Sequence, residues 1–304
     1  MILEFRNIEK SFGEKKVLKS VSFTAESGKA FGLLGRNGAG KTTSIRILMN
    51  VFPQNAGEVL IDGKPIDYNK VGIGYLPEER CLYPKKTILD QLCYFAELNG
   101  LSHKEAVNAV DYWLERLQMS EYRLKRLDTL SKGNQQKIQL VTALAHNPDI
   151  VILDEPFSGL DPVNAMLLKD IVKEQIETGK IVLFSSHQMN YIEEFCDSIA
   201  ILKDGSIAIG GDLADIKKQH RRNRLVVKCE NPELILKAFP LDSKQRENGD
   251  VLVKFKDDNK TEIMKKILDT ASVDSISIYE PTLGDIFVEY TADEEERSDS
   301  RETV

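Results

Sequence analysis

Gly35-Arg36-Asn37-Gly38-Ala39-Gly40-Lys41-Thr42 constrains this chain more than any other segment, because it asks a strand to end and a helix to begin around one tight turn. It satisfies G-x-x-x-x-G-K-[ST] at every fixed position. An apolar run at 30–34 precedes it and a helical pattern at 43–49 follows it. The glycines let successive backbone N–H groups turn inward around phosphate oxygens, and the following helix N-terminus adds a positive dipole end. Lys41 supplies a point charge for the β- and γ-phosphates, and the Thr42 hydroxyl suits Mg²⁺. With Thr43 beginning the helix, the segment predicts binding of a nucleoside triphosphate.

At 304 residues the chain is long enough for two domains. Its 41 basic against 48 acidic residues leave a net charge of −7, which argues against a dedicated nucleic-acid binder. Cys81, Cys93, Cys196 and Cys229 form no C-x-x-C pair and read as reduced thiols of a cytosolic protein. No apolar stretch approaches the roughly 18 residues that span a bilayer. The start mixes charge into its apolar residues and lacks a signal-peptide core. Any membrane role is therefore expected through a partner.

Strand-like alternation marks 2–5 and 17–23, and a further strand at 58–61 runs into the Asp62-Gly63 turn. From 89 to 129 the pattern is helical, with Val107, Val110, Leu114 and Leu117 on one apolar face. Continuous apolar runs at 150–153 and 181–184, separated by helical segments, suit parallel strands covered on both faces. After Gly210-Gly211 a basic connector includes Lys217-Lys218-Gln219-His220-Arg221-Arg222, read as a solvated linker or a headgroup-facing surface. Strand-like runs at 225–227, 251–253 and 276–278, with helical patterns at 232–238, 262–268 and 282–288, predict a small α+β domain. The expected division is a nucleotide domain at 1–215, a linker at 216–223, the α+β domain at 224–290 and a disordered acidic tail at 291–304.

The run ending in Leu153-Asp154-Glu155 puts two carboxylates just past a buried strand, where a parallel sheet binds its ligands. Asp154 is suited to Mg²⁺, and Glu155 to take a proton from an attacking water or to orient it. In Leu130-Ser131-Lys132-Gly133-Asn134-Gln135, Ser131 and Gly133 open a helix expected over 135–145. Hydroxyl, backbone N–H groups and helix dipole there point one way.

With these segments in this order, the chain resembles an ATP-binding cassette (ABC) protein, the ATPase subunit of a transporter, over about 1–215. Residues 130–134 resemble that family's L-S-G-G-Q signature. Ser158-Gly159-Leu160-Asp161 matches the loop after the catalytic carboxylate, which brings Asp161 to the ATP site. His187, following the strand at 181–184, matches the switch histidine that contacts the γ-phosphate, and Phe12 resembles the aromatic that stacks on adenine. The resemblance implies a P-loop fold of ABC type: a mixed sheet core, an antiparallel β subdomain and a helical subdomain. It also implies two such domains head to tail, a homodimer or a paralogous pair. Each ATP with its Mg²⁺ then lies between residues 35–43 of one copy and Ser131 and Gly133 of the other. Glu155, His187 and Lys41 are then the catalytic set, with Thr42, Asp154 and Glu78 toward the metal.

Lys132 and Asn134 depart from the signature's Gly and Gln, and Glu78 stands where most of the family carries Gln. Both departures resemble the drug- and sodium-efflux branch, as does the C-terminal Glu280-Pro281-Thr282-Leu283-Gly284-Asp285-Ile286-Phe287. The resemblance implies an exporter ATPase for an ion, drug or lipid-like compound. Such a subunit is peripheral on the cytoplasmic face of a bacterial membrane, partners a separate transmembrane permease and takes no nucleic acid. An importer ATPase shares the same core and stays open as an alternative. A soluble non-transport ABC ATPase is disfavoured by the single cassette and by the absence of sustained heptads between Lys41 and Leu130.

Overall fold

A computed structural model describes residues 1–79, 81–220, 224–246, 248–255 and 259–291. The chain divides into two compact units, Met1–Leu213 together with the described part of Phe287–Val304, and Ala214–Ile286. The larger begins with β1 (Ile2–Phe12), β2 (Lys15–Glu26), β3 (Ala30–Gly35), α1 (Lys41–Leu48), β4 (Ala56–Ile61), β5 (Lys64–Pro65) and β6 (Ile73–Leu76). The helices α2 (Ile88–Leu98), α3 (His103–Arg116) and α4 (Lys132–Leu144) follow. Then come β7 (Ile150–Asp154), α5 (Pro162–Glu177), β8 (Ile181–Ser185), α6 (Met189–Phe195), β9 (Ser198–Lys203) and β10 (Ser206–Asp212).

Two sheets result. β2, β1, β4 and β5 form an antiparallel sheet, and the second runs in the order β10-β9-β3-β8-β7-β6. In that sheet β9, β3, β8, β7 and β6 are parallel and β10 is an antiparallel edge. Every residue of β3, β7 and β8 is buried, which is why their sequences read as unbroken apolar runs. β1 shows the opposite pattern, burying Leu3, Phe5 and Ile8 while Arg6 and Asn7 are exposed. Both β1 and β2 outrun their expected spans because the pairing continues through irregularities between Phe5 and Ile8 and again beyond Ile8.

Within α3 the buried face is Ala106, Val110, Trp113 and Leu114, with Val107 only half-buried, so the apolar stripe lies slightly round from its expected line. Ser102 and Glu105 close a capping box at its start. α4 begins three residues earlier than expected because the Ser131 hydroxyl accepts the Asn134 N–H at 3.3 Å and caps the helix.

The connector is more ordered than a linker. β10 continues through Gly210-Gly211 to Asp212, and α7 (Leu213–Gln219) follows at once. Leu213 and Ile216, three apart, are 7% and 3% exposed and give this basic segment one apolar face. Residues 221–223 lie outside the described residues.

Ala214–Ile286 contains β11 (Arg224–Cys229), α8 (Pro232–Ala238), β12 (Ser243–Gln245), β13 (Val251–Lys254), α9 (Lys260–Thr270) and β14 (Val273–Ile278), and includes the start of α10 (Leu283–Thr291). Its sheet runs β12-β13-β11-β14 with every pair antiparallel. Leu225, Val227, Val251 and Val253 from the strands pack with Ile235, Phe239 and Ile267 from the helices. Thr291 closes α10 and is buried, so the tail expected from 291 loses its first residue; 292–304 lie outside the described residues. All four cysteines are free thiols. Among the described residues no helix is long and apolar enough to cross a membrane.

Candidate functional site

The strand order brings four carboxyl ends side by side. β3 delivers the 35–42 loop, β8 delivers 186–187, β7 delivers 154–155 and β6 leads to Glu78. The register pairs Asp154 directly with Ser185. The result is a cavity of about 890 Å³ lined by Gly35, Arg36, Asn37, Gly38, Gly40, Lys41, Thr42, Thr43, Glu78, Asp154, Glu155 and His187. Ala39 lines a smaller neighbouring cavity that shares Arg36, Asn37 and Gly38.

The loop needs glycine at both ends. Gly35 has φ 153°, and a Cβ there would stand 2.7 Å from the Leu202 carbonyl oxygen; Gly40 has φ 116°, with its Cβ 2.5 Å from Leu18 Cδ2. Lys41 Nζ donates to the Gly35 carbonyl at 2.6 Å and to that of Arg36 at 3.4 Å, so it lies along its own loop. Burial lowers its pKa, and the carboxylates of Asp154, Glu155 and Glu78 act in the opposite direction.

Glu155 is 5% exposed, and its backbone has φ 50°, a left-handed conformation that costs a non-glycine residue about 1–3 kcal/mol. Its N–H donates to the Ser185 carbonyl at 2.8 Å. Oε2 accepts the Ser186 hydroxyl at 2.8 Å, and Oε1 accepts the His187 backbone N–H at 2.7 Å. His187 Nδ1 lies 2.6 Å from the same Oε1. Because a carboxylate only accepts, Nδ1 carries the proton here, and Nε2 is left on a side chain that is 72% exposed. Below this turn Phe157 stacks on Tyr191 with centroids 4.0 Å apart, and Phe184 and Phe195 extend the aromatic floor.

Burial raises the pKa of Asp154, with the Glu78 and Glu155 charges adding to it and a Ser185 hydrogen bond and Lys41 opposing. A raised carboxyl binds its proton more tightly in the folded than in the unfolded chain. Its stabilising contribution is therefore complete below the unfolded value and is lost as pH rises through the folded one. At neutral pH the ionised group is a net cost. Asp154→Asn is expected to stabilise the nucleotide-free protein at pH 7 by about 1 kcal/mol, a gain of about 2–4 °C in Tm, and to give no gain near pH 4. Thermal unfolding at both pH values checks this; an equal loss at both would mean that the Asp154 hydrogen bonds outweigh its burial.

Besides Ala39, four of the expected residues do not line this cavity of their own chain: Ser131, Gly133, Asp161 and Phe12. Ser131 caps α4, and Gly133 sits in its first turn. Asp161 caps α5, accepting the Asn164 N–H at 3.0 Å. Steric demand does not explain Gly133: a Cβ there would come no closer than 3.6 Å to Asn164 Nδ2. Glycine is a poorer helix former than alanine, and no contact within the chain calls for it there. Phe12 also lies outside the cavity lining, at the end of β1, 48% exposed.

The structure gives roles to two residues, Gln139 and Gln136, to which the sequence reading assigns none. Gln139 of α4 is 1% exposed and donates through Nε2 to the carbonyls of Pro77 and Glu79, both at 3.0 Å, bracketing Glu78. Gln136 Nε2 donates to the Pro156 carbonyl at 3.4 Å, just beyond Glu155. The helix capped by Ser131 is thereby tied to both acidic segments. Polar residues set among the apolar ones of α4 were the one available signal.

The donors facing the cavity are hard oxygens, the Thr42 hydroxyl and the carboxylates of Asp154 and Glu78, which fits Mg²⁺ rather than a soft metal. No group of three or more His, Cys, Asp or Glu side chains is placed to hold a metal among the described residues.

Residues 18–158 match the ABC transporter family, and residues 211–291 match the C-terminal domain of DrrA1-3-like ATP-binding proteins. An uncharacterised ABC transporter ATP-binding protein of Methanocaldococcus jannaschii is 44% identical over 256 residues, 83% of this chain and 94% of the relative. The linearmycin resistance ATP-binding protein LnrL of Bacillus subtilis is 36% identical over 214 residues, 69% of each chain. A solved ATP-binding subunit of an ABC transporter superposes with a TM-score of 0.66 at 31% identity, covering 72% of this chain and 93% of that one.

Proposed function

The chain belongs to the ABC transporter ATP-binding family, whose members hydrolyse ATP to power transport, and on that premise we propose that it drives an exporter whose membrane-spanning permease is a separate chain. The observation that carries the site assignment is the convergence of Lys41, Thr42, Glu78, Asp154, Glu155 and His187 on one cavity while Ser131 and Gly133 stay outside it. Loop N–H groups and Lys41 hold the phosphates. Thr42, Asp154 and Glu78 are the residues to hold Mg²⁺, which when bound neutralises phosphate charge. Glu155 takes the proton of the attacking water, and His187 donates a ring N–H to the γ-phosphate. Ser131, Gly133 and Asp161 serve the cavity of a second copy, which explains a helix-weakening glycine that packing does not require. Likeness to a resistance protein and to the DrrA-like C-terminal domain supports outward transport of a drug-like compound, from the cytoplasmic face of the membrane.

The partner surface follows from the same elements. Tyr83, just after the Glu78 segment, and Tyr94 of α2 are 56% and 52% exposed. Phe95 stacks on Tyr83 with centroids 6.5 Å apart and meets Tyr94 edge-on at 5.6 Å. An exposed aromatic cluster beside Glu78 suits a cytoplasmic helix of the permease, laid in by its apolar face. Tyr83→Glu, assayed with the permease in vesicles, is expected to abolish transport and leave basal ATPase activity unchanged. Joint loss of both, or of neither, would place the docking surface elsewhere.

A further inference from the structure

β1 breaks its own pattern near its end. Leu3, Phe5 and Ile8 are buried, yet the next buried position is Lys10, 9% exposed, and two residues on Phe12 stands 48% exposed. A lysine is where an apolar residue belongs, and a phenylalanine is where a polar one belongs. Lysine is almost never this buried without a compensating set of contacts. Here the ammonium donates to the Pro53 carbonyl at 2.5 Å and lies 5.1 Å from the centroid of Phe12 and 4.9 Å from that of Phe52. The two rings meet edge to face, 5.3 Å apart at 89°. Phe12 pairs with Lys15 across the β1–β2 turn, and Lys15, Lys16 and Val17 line the large cavity beside the 35–42 loop.

We propose that Lys10 is a positioning residue that makes Phe12 a base platform: it fixes the ring and polarises it from the side away from the base. The proposal rests on reading Phe12 as the adenine-stacking aromatic. An aromatic ring and a purine both carry electron density on their faces, which opposes direct stacking. A cation held against one face draws that density toward itself and leaves the other face better suited to the base. The Pro53 carbonyl and the Phe52 ring, whose centroid is 4.9 Å from Nζ, keep the ammonium, and with it the Phe12 ring, in one position. A methionine at this place would fill the space and avoid burying a charge, so packing alone does not account for the lysine.

The test separates base from phosphate. Equilibrium binding of ATP and of inorganic tripolyphosphate is measured for the full chain and for Lys10→Met, Lys10→Arg and Phe12→Ala. Lys10→Met is expected to weaken ATP binding about fivefold to tenfold and to leave tripolyphosphate affinity within about twofold. Lys10→Arg, which keeps a cation over the ring, is expected to retain ATP affinity to within about twofold. Equal weakening of both ligands would overturn the proposal by showing that Lys10 supports the loop fold as a whole. Unchanged ATP affinity in Lys10→Met, with a loss in Phe12→Ala, would overturn it while leaving Phe12 as the platform. Unchanged ATP affinity in Phe12→Ala would remove the underlying reading itself.

Discussion

Glu155→Gln is expected to lower ATP turnover by at least about 10²-fold while ATP affinity is kept, the loss typical of removing a positioned general base. The geometry makes this a clean substitution. The glutamine carbonyl can still accept the His187 N–H that Oε1 accepts at 2.7 Å, and its amide can donate to the Ser186 hydroxyl now 2.8 Å from Oε2. The left-handed turn at φ 50° and the aromatic floor under Phe157 are untouched. Only the ability to take a proton is removed. Lys41→Ala should behave differently and weaken ATP binding itself, because it deletes a phosphate contact and not a water contact. Single-turnover hydrolysis with parallel ATP binding distinguishes the two. Turnover near the wild-type rate in Glu155→Gln would remove Glu155 from the reaction.

Gly74→Ala is expected to cost about 3 kcal/mol of stability, at the upper end for overpacking, and to disable the site as well. Gly74 lies in β6, where a Cβ would stand 2.0 Å from the Ala143 carbonyl oxygen and 2.9 Å from Pro148 Cγ. The first contact is helix backbone of α4, so no rotamer change relieves it; the helix must move off the strand. That shift would pull Gln139 from the carbonyls of Pro77 and Glu79 and loosen the Glu78 segment from the helix capped by Ser131. Gly72→Ala is the control, its nearest contact being Pro148 Cα at 3.2 Å. Denaturant unfolding of both variants gives the comparison. Equal, small losses would mean that α4 adapts at little cost.

What could be read from the sequence was whatever fixed spacing or strict burial dictates. The 35–42 loop is legible because a strand, a turn and a helix must meet there, and β7 and β8 because burial on both faces leaves no polar position before their last residues, Asp154 and Ser185. The linker at 216–223 was less legible: its Lys217-Lys218 pair hides Leu213 and Ile216, two anchors that suffice for a helical turn. β12 is Ser-Lys-Gln at a sheet edge, with no apolar alternation to betray it. Gln139 and Lys10 escaped for a shared reason. Each is a polar residue whose role depends on long-range partners, at separations of 62 and 43 residues, which no local pattern encodes. Ser131, Gly133 and Asp161 illustrate the converse: their spacing is plain, yet they do not line the cavity formed around Lys41 and Glu155 in their own chain.

The central claim is that each hydrolysis site combines the cavity of one copy with Ser131 and Gly133 of another. Purified Lys41→Ala and Ser131→Arg chains, each inactive alone, are mixed and assayed for ATP hydrolysis. In a mixed pair one site carries both defects, and the other joins an intact Lys41 loop to an intact Ser131 helix. Mixing should therefore restore ATP hydrolysis, to about a quarter of the wild-type rate under random pairing if the two sites act independently. A mixture that stays as inactive as its components, while the wild-type chain hydrolyses ATP, would contradict the composite site.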